Sequence, residues 1–126
     1  MILWKSHHIA LRTPNFNAMK AFYTETLGMK VLGNIRGSQT CFIDIGGTTI
    51  ELSPMEPFRM GLKPTQGLAH LAFQVDDVDA AYQKLVAKGI QFHITPRGND
   101  FLRVAFFRDP DGNDLELFHS AALYWK

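Results

Sequence analysis

Four side chains in this sequence have the types and the spacing to hold a cation and move a proton. His8 opens the run His8-Ile9-Ala10-Leu11-Arg12, and His70 opens His70-Leu71-Ala72-Phe73-Gln74, 62 positions later. Glu51 lies in Ile50-Glu51-Leu52 and Glu116 in Leu115-Glu116-Leu117, 65 positions apart. Each half therefore runs from a His to a Glu, 43 residues on in the first and 46 in the second. Two matches in the same order at nearly one offset indicate a duplicated unit. A single Glu between strand-forming apolar residues is ordinarily a solvated edge residue, and only the repeat changes that reading. Paired units bring equivalent residues together about a pseudo-twofold axis, so two imidazoles and two carboxylates are expected to face one cavity. Such nitrogen and oxygen donors suit Zn, Ni, Co, Mn or Fe rather than a thiolate-loving ion. Two clustered carboxylates repel each other, and a divalent cation removes that cost.

The elements that must position these groups follow from period and punctuation. Residues 6–13 alternate as a strand, with His8, Ala10 and Arg12 on one face and Ile9 and Leu11 on the other. Residues 14–27 are predicted helical, with Asn15 or Asn17 as the cap, Phe16, Met19, Phe22, Tyr23 and Leu27 at helical spacing, and Gly28 as the stop. Strands follow near 29–36, 39–46 and 48–54, the last two joined by a tight Gly46-Gly47 turn. The second unit has a strand at 69–75, a helix at 77–88 ended by Gly89, and strands near 90–95, 102–108 and 113–119. Asp109-Pro110-Asp111-Gly112-Asn113 combines two turn dipeptides. Each half is thus β-α-β-β-β and the fold class is α+β. One domain, residues 1–126, is expected, with modules at about 6–54 and 69–119 and a proline-containing linker at 55–68.

Composition bounds the function. A chain of 126 residues is one domain's worth and can bury a core without staples. Thirteen basic residues balance twelve acidic ones, which argues against a nucleic-acid or anionic-membrane partner. No apolar run approaches the roughly 18–20 residues needed to cross a bilayer. The start, Met1 to His8, lacks the pattern of a signal peptide. A lone cysteine, Cys41, in an alternating apolar segment is expected to be a small core residue, and it favours a cytoplasmic setting.

These runs, with Ala21-Phe22-Tyr23 through Leu27-Gly28-Met29 and Asp109-Pro110-Asp111-Gly112, resemble the vicinal oxygen chelate superfamily over roughly residues 6–119. That superfamily includes glyoxalase I, methylmalonyl-CoA epimerase, extradiol dioxygenases, fosfomycin-resistance transferases and bleomycin-binding proteins. The resemblance implies two tandem βαβββ modules forming a cup-shaped, partly open β-barrel around a metal. By position, His8, Glu51, His70 and Glu116 match the four ligands of bacterial glyoxalase I. Retention of both glutamates favours the lyase or isomerase branch, because the transferases and dioxygenases carry a His-His-Glu triad. The resemblance implies one divalent metal per site, Zn or Ni first, with Mn, Co or Fe as alternatives and a water completing its shell. It makes Glu116 the first choice of base, with Glu51 as its near-symmetric counterpart. The partners it implies are a small molecule and a second copy of the chain, in a homodimer whose site is closed within one chain or shared between two.

Two departures bear on the substrate. Arg12 matches an arginine that helps bind glutathione, but Met55 stands where the family has an Asn four residues after the first Glu. Arg12 is read either as a contact for another anionic substrate group or as the partner of a nearby acid. His7 is expected on the opposite strand face from His8, and His93 and His119 as surface or pocket-lining residues. Arg97, Gly98, Asn99 and Asp100 are expected as a polar turn, and residues 121–125 as a segment that docks on a partner. The leading reading is a metal-dependent lyase or isomerase acting on a small α-oxygenated carbonyl compound. A metal-dependent transferase or dioxygenase, and a non-catalytic protein that sequesters an antibiotic or toxin, are the alternatives.

Overall fold

In a computed structural model, residues 6–54 and 70–121 are described. They fall in two compact units, divided between residues 61 and 62. The whole linker, 55–68, with Met55, and residues 122–126 lie outside the described residues.

The first unit contains β1 (His8–Arg12), α1 (Phe16–Ala21), β2 (Lys30–Asn34), β3 (Cys41–Asp44) and β4 (Thr49–Ser53). Its sheet has the order β1-β4-β3-β2, with β1 parallel to β4 and the other pairs antiparallel. The second contains β5 (His70–Gln74), α2 (Val78–Ala87), β6 (Phe92–Gly98), β7 (Leu102–Arg108) and β8 (Asp114–Ser120), in the equivalent order β5-β8-β7-β6. Two tandem βαβββ modules are therefore present, as the duplicated motifs imply. Among the described residues, no helix is long and apolar enough to cross a membrane.

Alternation sorts each sheet into two faces. In the first unit Ile43, Ile50 and Leu52 are fully buried, along with Met19 and Tyr23 of the helical segment. Cys41 is buried with them, as expected for a small hydrophobe, and burial pushes its thiol pKa up. In the second, Val78 of α2 and Ala105, Phe107, Leu115 and Leu117 of the sheet form the core. Sealing one face apolar leaves the other free to carry polar groups.

The first helix departs from its expected form. α1 is regular only to Ala21, and Phe22–Thr26 continue as a wider π-helical turn in which Leu27 N–H donates to Phe22 O at 2.9 Å. Neither asparagine caps it by a side-chain hydrogen bond to the helix backbone. Asn15 occupies the cap position, but Thr13 Oγ1 accepts from Asn15 N–H at 2.8 Å. A buried Thr13 thus turns the chain out of β1 into the helix. α2 is capped directly, with Asp77 Oδ1 accepting from Ala80 N–H at 3.0 Å. Arg103 on β7 then ties α2 to the sheet through a two-pronged pair with Asp79, at 2.5 and 2.8 Å. Arg103 holds the Asp79 carboxyl below its ordinary value.

The turns follow their residue types. Gly46 and Gly47 both take positive φ, 86° and 105°, in the β3–β4 hairpin. The Asp109 carboxylate accepts from Asp111 N–H, Asn113 N–H and Asn113 Nδ2 at 2.8–3.0 Å, fixing the entry to β8. The polar turn expected at 97–100 is shorter, because β6 runs through Arg97 to Gly98. Gly98 has φ 102°, and a Cβ there would lie 2.0 Å from Leu102 O, so only glycine fits.

Replacing Asp77 by Ala removes the one side-chain acceptor at the start of α2. It should cost about 1 kcal/mol of stability, read as a lower urea midpoint with an unchanged slope.

Candidate metal centre

The parallel pairing of β1 with β4 sets Ala10 opposite Glu51, and His8 two residues before it. His8 Nε2 comes to 3.4 Å from Glu51 Oε2. In the second unit Ala72 is opposite Glu116, and His70 Nε2 lies 3.2 Å from Glu116 Oε1. The same register produces the same pair twice, each His reaching diagonally across to its Glu. Both pairs stand on the face away from the apolar core, because the flanking Ile50 and Leu52, and Leu115 and Leu117, point the other way.

Each pair also has an aromatic neighbour that the motifs alone did not single out. Phe42 is opposite Glu51 and Phe106 opposite Glu116 in the sheet register. Phe42 meets the His8 ring edge to face at a centroid distance of 5.6 Å, and Phe106 meets His70 at the same distance. Such packing holds an imidazole in one orientation. The signal was present in the repeat: Cys41-Phe42-Ile43-Asp44 and Ala105-Phe106-Phe107-Arg108 stand at an offset of 64.

His7 departs from the strand-parity expectation. It precedes the β1 ladder, and its Nδ1 lies 3.0 Å from His8 Nδ1. Its ring also packs against Phe42. This contact leaves His8 Nε2 as the nitrogen turned toward Glu51. A hydrogen bond at one ring nitrogen fixes the tautomer at the other, as is usual around metal-binding histidines. His93 shares the open face of the second sheet, touching Phe106 and lying 3.7 Å from Asp114. His119 has the strand parity of Leu115 and Leu117, away from Glu116. Arg12 stands beside Ser53 on the face of Glu51, and no acid pairs with it among the described residues. A structural ion pair for Arg12 is therefore not formed there.

The donor spacing can be tested against a cation. Two ligand atoms about 2.1 Å from a common ion stand roughly 3.0 Å apart at an octahedral angle and 3.4 Å apart at a tetrahedral one. The observed 3.4 and 3.2 Å fall in that interval, so each His–Glu pair fits two neighbouring ligand positions. Among the described residues, no group of three or more His, Cys, Asp or Glu gathers at metal-holding distance. Each unit by itself thus presents a pair.

The two glutamates differ in environment. The Glu116 side chain is 11% exposed and that of Glu51 23%. Burial pushes the Glu116 carboxyl above its ordinary value, and the adjacent His70 pulls it partly back. A carboxylate so desolvated binds a proton or a cation more readily than one in water.

Sequence comparison decides the family. The profile of the Glyoxalase/Bleomycin resistance protein/Dioxygenase superfamily matches residues 5–117. The chain belongs to this superfamily. It is 38% identical to the uncharacterised protein YwkD of Bacillus subtilis, over 94% of this chain and 98% of that one. It is 36% identical to the uncharacterised YaeR of Escherichia coli, over 89% and 93%. A glyoxalase family protein from Enterococcus faecalis has a solved structure that superposes with a TM-score of 0.74. That structure is 32% identical and covers 94% of this chain and all of its own. Superfamily enzymes stand further off. Methylmalonyl-CoA epimerase of Dictyostelium discoideum is 30% identical over 69% of this chain and 58% of its own length. Lactoylglutathione lyase of Schizosaccharomyces pombe is 23% identical over 93% of this chain and 48% of its own length.

The raised Glu116 pKa has a definite sign. Between the ordinary value of 4.5 and the raised folded value, the unfolded chain gives up this proton before the folded chain does. Stability is therefore lost as pH rises through that window. In protein freed of metal by chelator, Glu116→Gln should become progressively more stable than wild type as pH rises through it. Urea unfolding at a series of pH values measures this, and a flat difference contradicts it.

Proposed function

We propose that this superfamily member is a divalent-metal-dependent lyase or isomerase of the glyoxalase I type, acting on a small α-oxygenated carbonyl compound. The observation that carries this reading is the His–Glu pair formed twice by one strand register, at the spacing of two ligands on a common ion. His8, Glu51, His70 and Glu116 are the proposed protein ligands, two from each module. The protein works as a homodimer, with the pairs drawn from one chain or from two. Zn or Ni is the proposed metal, with Mn, Co or Fe as alternatives for the same donors.

His8, Glu51, His70 and Glu116 would hold a cation that, when bound, would supply polarisation of adjacent substrate oxygens and stabilisation of negative charge beside them. The remaining work falls to the chain. Glu116 takes the proton from one carbon and returns it to the next, so the step is an isomerisation with no net gain or loss of atoms. Its carboxylate is the more deeply buried of the two, and desolvation raises its proton affinity. Glu51, more exposed, is proposed as its counterpart ligand in the first module. His7, Phe42 and Phe106 hold the imidazoles in orientation. Arg12, with no acid paired to it among the described residues, is available to an anionic substrate group.

Equilibrium dialysis with Zn and Ni, followed by elemental analysis, tests the ligand set. Wild type should retain one ion per site, and His70→Ala should lose at least about tenfold in affinity. Methylglyoxal with glutathione, followed by thioester absorbance, tests the narrow reaction. Glu116→Gln should cut its rate by about 100-fold or more. Metal retention without turnover of this substrate removes glutathione hemithioacetal as substrate, and no retained metal removes the enzyme reading. Equal protection of cells by wild type and Glu116→Gln assigns sequestration instead of catalysis.

A further inference from the structure

The duplicated modules keep His, Glu and Phe at equivalent places but part company one step further along the sheet. In the first, Asp44 is opposite Thr49. At the equivalent place in the second, Arg108 is opposite Asp114. Asp114 is in turn opposite His70 on its other side. One row across the second sheet therefore reads His70, Asp114, Arg108, and the adjoining row reads Ala72, Glu116, Phe106. All the side chains of β7 and β8 in these rows share the face of Glu116. Arg108 thus stands diagonal to Glu116, about 7–8 Å away between backbones.

The guanidinium is braced on one side only. Arg108 Nε donates to Asp114 Oδ1 at 3.0 Å, and no described residue engages its two Nη groups. His93 approaches the same Asp114 oxygen from β6, at 3.7 Å, and its ring packs on Phe106. Asp114 Oδ1 therefore holds Arg108 by a hydrogen bond and has His93 nearby, in the row beside Glu116. The Arg108 side chain remains 53% exposed. A planar guanidinium held by Nε, with its Nη edge open, is preorganised for a bidentate oxyanion. A cross-strand ion pair on a bland surface would not need His93 or the aromatic floor.

We propose that Arg108, braced by Asp114 and flanked by His93, binds a carboxylate carried by the substrate at the end distant from its reacting carbons. This inference rests on the proposed function for what happens at Glu116, but the carboxylate preference belongs to Arg108 itself. The substrate class narrows to α-oxygenated carbonyl compounds with an acidic tail. A neutral tail leaves the guanidinium edge unpaired and binds more weakly.

Two probes differing only in tail charge test this. They are 2-hydroxyglutarate and the analogue with its distal carboxylate converted to a primary amide. Dissociation constants are measured by NMR titration for wild type, Arg108→Gln and Arg108→Lys. Each is measured in zinc-loaded protein and in protein freed of metal by chelator. Wild type should prefer the diacid by about tenfold. Arg108→Gln should abolish the preference while leaving amide binding unchanged, and Arg108→Lys should keep part of it. Equal binding of the two probes by wild type, no binding of either, or a preference that survives Arg108→Gln overturns the proposal. Failure of the metal reading shows separately, as absence of zinc, while the preference is still read in the metal-free protein.

Discussion

The placement of both His–Glu pairs depends on the parallel pairing of the first and last strands of each module. Parallel strands hold a constant stagger, so a residue two positions ahead on one strand always leans toward the same residue on the other. That geometry sets His8 against Glu51 and His70 against Glu116. A slip of one residue would turn both side chains toward the apolar layer beneath the helix. The register is protected because Ile50, Leu52, Leu115 and Leu117 are buried on the other face. Hydrophobic burial, not the weak attraction between an imidazole and a carboxylate, keeps each pair assembled.

Within that shared frame the two modules are tuned differently. Glu116 is more deeply enclosed than Glu51, and burial raises its carboxyl above the ordinary value. Its surroundings come from Phe106 on β7 and from a β8 whose start is pinned by the Asp109 turn. Glu51 lies on a shorter strand with a more open flank. Two carboxylates at equivalent places of the two modules thus stand in different surroundings, and surroundings are what separate the behaviour of such a pair.

Divergence between the copies is itself informative. Where His, Glu and Phe are retained, one geometric demand has acted on both halves. Where Asp44 in one stands against Arg108 in the other, the demand has differed. The cationic position lies on the open face of the module that carries the more buried glutamate, and its brace, Asp114, lies 3.7 Å from His93. Superfamily membership supplies a scaffold with many chemistries, so such side chains, rather than the fold, carry specificity.

The repeat of His and Glu, the α+β class and the βαβββ order were legible in the sequence, because alternation and glycine punctuation are local properties. Strand alternation also placed His8, Arg12, Glu51, His70 and Glu116 on the open faces, since parity needs no knowledge of the partner strand. Asn15 does stand at the cap position of α1, but the hydrogen bond that turns the chain there is made by Thr13 Oγ1. The wider turn at Phe22–Thr26 left no mark in the helical spacing. His7 escaped its parity because it lies ahead of the ladder and is free to fold back onto His8. Tertiary structure alone decided which residues stand opposite one another. Phe42 and Phe106 beside the glutamates, the one-sided brace on Arg108 and the deeper burial of Glu116 all arise from pairing between strands far apart in the chain. No local pattern encodes such a register until the apolar faces have closed upon their helices.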